Sequence, residues 1–157
     1  MSDSVFDTFD ESRKALMQKR RDLLVAIEKV VINFHCAFFH AVQTKPVVSD
    51  VSGVYIEGFG VSKNGGRGWS LYAETSCGTR LFINAEKGNL VNAGGPKLRV
   101  KGGMVIRAFL EQVDGFLGAI KPSLESHLSG EAELINHAEQ ALASFVTRNS
   151  LEVTEGE

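Results

Sequence analysis

Glycine is absent from the first 52 residues, and then 12 of the 16 glycines fall between Gly53 and Gly103. Glycine weakens helix and strand interiors and supplies the positive φ that tight turns need. A chain spaced this way is free to be helical at its start and must turn often in its middle. Pro46, Pro96 and Pro122 fall at the borders of the same blocks, and each removes a backbone donor and fixes φ. The pattern predicts an α+β fold: a long N-terminal helix, an antiparallel meander sheet of four to five strands, and two to three C-terminal helices on one face. A length of 157 residues suits one domain. We expect a single α+β domain over 1–148 and an acidic flexible tail over 149–157.

Thr8-Phe9-Asp10-Glu11 fits a capping box at the start of the first helix. From there to Thr44 neither Gly nor Pro occurs, and Leu16, Leu23, Leu24, Ile27, Val30, Val31, Phe34, Phe38 and Ala41 recur at helical spacing. If unbroken, this helix covers about 36 residues, or roughly 54 Å. A second apolar row, Val25, Ile32, Cys36 and Phe39, lies on its opposite side. A helix apolar on two sides must be covered on both. The sheet covers one side; the C-terminal helices or a second copy covers the other. We assign the second row as an oligomer interface and expect a homo-oligomer.

Strand-forming residues fill 53–61, 69–74, 80–85 and 90–93, with a fifth segment over 97–101. Asn64-Gly65-Gly66, Cys77-Gly78, Lys87-Gly88-Asn89 and Gly94-Gly95-Pro96 separate them, and such short turns make neighbours antiparallel. Period two sends Trp69, Leu71, Ala73, Leu81, Ile83, Leu98 and Val100 toward the helices. It leaves Ser70, Tyr72, Glu74, Arg80, Phe82, Asn84, Lys97, Arg99 and Lys101 outside. Residues 50–107 carry a net +4 although the chain is −2, and residues 108–157 carry −7. Cations interleaved with rings on a sheet suit nucleic acid, since bases stack on rings and cations follow phosphates. Arg80, Phe82, Lys97, Arg99, Lys101 and Tyr72 are therefore the candidate binding set. They would take a nucleic acid, a nucleotide or an acidic partner such as the acidic end of another copy. The alternative is an ordinary solvated face.

The stripe Val105, Ile106, Phe109, Val113, Phe116, Leu117 and Ile120 predicts a helix over 104–120, ended by Pro122. A last helix should start at Ser129 as N-cap and run to about Arg148, with Leu134, Ile135, Ala138, Leu142, Phe145 and Val146 on its apolar side.

Chemistry is sparse. Neither G-x-S-x-G nor G-x-x-x-x-G-K-[ST] occurs. Gly58-Phe59-Gly60 and Gly65-Gly66-Arg67-Gly68 belong to a hairpin with no following helix to receive a phosphate. Cys36 and His40, four apart on one helix face, would suit a thiolate–imidazole pair or half a zinc site. Zinc needs about four ligands, and His35, His127, His137 and Cys77 show no paired spacing. We expect no catalytic residues, metal or cofactor. Two cysteines are too few for a disulfide scaffold and read as free thiols in a reducing cytoplasm. Met1–Asp10 is acidic and unlike a secretory signal, and no apolar run approaches the ~20 residues of a membrane span. The expected function is that of a small non-enzymatic accessory or regulatory protein in the cytoplasm. It would act by protein–protein interaction and self-association, with nucleic-acid or nucleotide binding on the outer sheet face as the alternative.

Overall fold

In the computed structural model, which describes residues 4–44, 46, 53–91 and 100–149, the first helix, α1, spans Val5–Ile32. Ser4 caps it, its hydroxyl accepting the Asp7 N–H at 3.1 Å. Thr8 lies inside the first turns and is not the cap. The helix stops 12 residues short of Thr44 without Gly or Pro: Asn33 closes its end and His35 takes a positive φ of 48°. His is among the few side chains that tolerate left-handed backbone. The aromatic run that follows then pairs as a strand.

The sheet has five strands in the order β1-β2-β3-β4-β5, each antiparallel to the next. They are β1 Phe38–Ala41, β2 Ile56–Lys63, β3 Trp69–Thr75, β4 Arg80–Asn84 and β5 Asn89–Leu90. The chain is thus an α+β fold with a long N-terminal helix, an antiparallel meander and C-terminal helices. The edge strand β1 comes from a segment expected to be helical. Of the segment expected as a fifth strand, 97–99 lies outside the described residues, Val100 makes an isolated bridge, and Lys101 is the N-cap of a helix.

That helix is α2, Gly102–Glu111, followed by α3, Val113–Gly118, and α4, Ile120–Arg148. The single helix expected over 104–120 breaks at Gln112, whose N–H reaches both Ala108 and Phe109 carbonyls. Pro122 does not end an element. It lies in the first turn of α4, where its missing N–H has no intrahelical partner to lose. Ser129 is consequently interior to α4.

The chain divides into two compact units, Met1–Gly118 and Ala119–Glu157. The first holds the core. Leu24, Ile27 and Val31 of α1, Phe59 and Val61 of β2, Leu71 and Ala73 of β3, and Leu81 and Ile83 of β4 are all buried there with Val105, Ile106, Phe109 and Phe116. A chain of rings runs through it: Phe59 to Phe109 at 5.2 Å, Phe109 to Phe116 at 5.2 Å and Phe116 to Phe38 at 5.0 Å between centroids. In the second unit, α4 has 29 residues and none of them is buried.

Candidate interaction surfaces

The outer sheet face is built around two glycines. Phe39 of β1, Gly60 of β2, Tyr72 of β3 and Phe82 of β4 are cross-strand partners in succession, so they form one row across four strands. With no side chain at Gly60, the rings either side close over β2: Phe39 stacks on Tyr72 with centroids 6.5 Å apart and planes 17° apart. Tyr72 also meets Phe82 at 5.8 Å, and the Arg80 guanidinium sits 4.7 Å above its ring. Tyr72 is therefore only 4% exposed although it lies on the outward face. Burial pushes its hydroxyl above the usual phenol range, with Arg80 opposing. Gly58 and Gly60 belong to the strand of the β2–β3 hairpin, not to its turn. The turn is Asn64–Gly68, closed by the Asn64 N–H on the Gly68 carbonyl at 2.7 Å.

The structure brings together Arg80, Phe82 and Tyr72 of the expected binding set. Arg80 also faces Glu74 at 3.8 Å, so part of its charge is met within the face. Lys101 is exposed at the start of α2, and Lys97 and Arg99 lie outside the described residues. Of the expected oligomer row, Val25 and Ile32 are half-buried on α1. Cys36 and Phe39 lie beyond the end of α1, so the four do not share a helix face.

A different row on α1 is uncovered. Phe9, Leu16, Leu23 and Val30, one every seventh residue, are 50–67% exposed. Leu16, Leu23 and Val30 were expected to face the core, yet only Leu24, Ile27 and Val31 of α1 are buried. Leu23 and Val30 lie beside buried residues but on another side of the helix; for Phe9 and Leu16 the reason is length. The 28 residues of α1 run about 42 Å, whereas the longest strand, of 8 residues, runs about 26 Å. No residue in 5–19 is buried. On α4, Leu128, Leu134, Ile135, Leu142 and Phe145 are likewise 50–67% exposed.

The groups with reactive side chains are dispersed. Among the described residues no cluster of three His, Cys, Asp or Glu could hold a metal, and no helix is long and apolar enough to cross a membrane. Cys36 and His40 do not share a helix: Cys36 precedes β1, and His40 faces Gly115 of α3. Cys36 and Cys77 are free thiols. Cys77 lies in the β3–β4 turn, where contacts to the Thr75 hydroxyl at 3.1 Å and the Thr79 hydroxyl at 3.5 Å hold its thiol below the ordinary range. Half-buried Glu28 of α1 is raised above the ordinary carboxylate range, chiefly by burial and further by Glu86, against a hydrogen bond with the Leu71 backbone.

No family model, no curated protein and no solved structure matches this chain.

Proposed function

We propose that the chain is a non-enzymatic cytoplasmic binding protein that self-associates and engages protein partners through its long helices. The observation that carries this reading is α4, 29 residues long with none buried and with five large apolar side chains at least half exposed. An amphipathic helix owes most of its stability to packing its apolar face, so α4 calls for a cover. The uncovered row on α1 supports the same reading, and the two free thiols support a reducing compartment. The test is solution mass by light scattering. Self-association predicts a mass above 17.1 kDa that rises with concentration, and a mass fixed at the monomer value refutes it.

A second reading is nucleic-acid or nucleotide binding on the outer sheet face. Phe39, 41% exposed, and the Arg80 cation favour it, because rings and cations on one sheet face take bases and phosphates. A mobility-shift assay at two salt concentrations separates it from protein binding, since phosphate contacts weaken steeply with salt. Loss of binding in Arg80→Ala/Phe82→Ala would locate it here, and no shift at low salt removes it.

A further inference from the structure

Resting on that self-association, we infer that α4 pairs with α4 of a second copy as an antiparallel two-stranded coiled coil. Leu128, Ile135 and Leu142 are seven apart, and Leu124, Ala138 and Phe145 occupy the alternate seam position three to four residues away. A seven-residue repeat sustained over three heptads keeps a seam turned toward another helix, whereas a stripe packed on a sheet needs no such regularity.

Four of the seam side chains, Leu128, Ile135, Leu142 and Phe145, are 50–67% exposed, so the apolar surface a second copy would cover is concentrated on the seam itself.

Charge sets the direction. Lys121 takes the first position of the seam, and Glu131 the one remaining between Leu124 and Phe145. A parallel, in-register pair would press the two Glu131 carboxylates together in a partly dry seam, where like charges repel strongly. The first half of α4 carries Lys121, Glu125, Glu131 and Glu133; the second half carries only Glu139 and Arg148 and is neutral. Antiparallel pairing lays the acidic half against the neutral half, separates the two Glu131 side chains and opposes the helix dipoles.

The test uses the full chain. Light scattering should show a dimer, and Ile135→Asp/Leu142→Asp should raise its dissociation constant at least ~100-fold, as charges enter a seam where each 1.4 kcal/mol is tenfold. Glu131→Leu, which adds apolar area to the seam, should tighten it about tenfold or more. Leu16→Asp/Leu23→Asp on α1 should leave the mass unchanged. Spin labels on Ser126→Cys and, separately, Thr147→Cys, each with Cys36→Ser/Cys77→Ser, read the direction. In an antiparallel pair the axial separations at the two sites sum to at least about 63 Å whatever the register, at ~1.5 Å per residue; in a parallel, in-register pair both are side by side. A monomer at every concentration would remove self-association itself, and the coil with it. Four results overturn the coil and leave self-association standing: a dimer that survives Ile135→Asp/Leu142→Asp, one that dissociates with Leu16→Asp/Leu23→Asp, one that Glu131→Leu fails to tighten, or labels side by side.

Discussion

Gly60→Ala tests whether the outer face is built as described. A Cβ at Gly60 would stand 2.7 Å from Cζ and Oη of Tyr72 and would also press on the Phe38 carbonyl. Neither can retreat freely. The Tyr72 ring is flanked by Phe39, Phe82 and the Arg80 guanidinium, and the carbonyl belongs to the β1–β2 pair. Forcing a methyl into packed surroundings costs ~1–3 kcal/mol. Against this, alanine removes some freedom from the unfolded chain, a gain of ~0.4–1 kcal/mol. The net is a loss of about 1–2 kcal/mol, which at ~2–4 °C per kcal/mol for a chain of this size lowers the midpoint by roughly 2–8 °C. Gly66→Ala is the control, because a Cβ there meets nothing within 4 Å and the residue lacks a positive φ; its midpoint should stay level or rise. Thermal unfolding followed by circular dichroism reads both, at one fixed protein concentration because self-association shifts the midpoint. Removing the ring in Tyr72→Ala should relieve part of the Gly60→Ala penalty, a coupling of ~0.5–3 kcal/mol. If Gly60→Ala melts at or above wild type, the rings do not lie on β2 and the row across four strands is wrong.

Phe109→Ala should cost ~3–5 kcal/mol, because its ring is fully buried between Phe59 and Phe116; urea unfolding measures it, and a loss under half that size would mean the ring chain is not the core. Glu28→Gln should stabilise the protein at neutral pH. The Glu28 carboxyl is raised above its ordinary 4.5, so its contribution is present below that value and fades as pH rises through the raised one. The gain over wild type should therefore disappear at pH 4, and a gain that does not depend on pH would refute the burial argument. Cys77 should alkylate faster than Cys36 near neutral pH, since a lowered thiol holds more thiolate. Thr79→Val should slow it, and unchanged rates followed by mass spectrometry would show that the turn hydroxyls do not set its reactivity.

The order of elements was legible because glycine and proline mark it directly. Their absence was misleading between Asn33 and Thr44: an unpunctuated, apolar stretch reads as more helix. The helix ends at Asn33, and the turn away is made by the left-handed His35, a side chain that allows this conformation without requiring it. The only positive sign of a strand was Phe38-Phe39-His40, aromatic residues that sit as well in strands. At Pro122 the error ran the other way. Proline breaks a helix interior but is at home in a first turn, so its meaning depends on where the helix starts, and Ala119 supplies no side-chain cap to announce that start.

The candidate surfaces were legible in proportion to how local they are. Alternation along β4 puts Arg80 and Phe82 on one face from sequence alone. That Tyr72 would be buried on that face needed the register, because its cover comes from Phe39, 33 residues earlier, closing over Gly60. The Gly58-Phe59-Gly60 spacing carried the signal: two glycines one residue apart within a strand leave one face of it open for neighbouring rings. The helices show the opposite limit. Their apolar stripes were visible at once, but a stripe states only that a cover exists. On α1 the sheet covers Leu24, Ile27 and Val31 and ends before Phe9 and Leu16. On α4 no residue is buried, and what distinguishes it from the seven-residue row of α1 is a second row, Leu124, Ala138 and Phe145, beside Leu128, Ile135 and Leu142, with one carboxylate, Glu131, set where a parallel partner would meet its own charge.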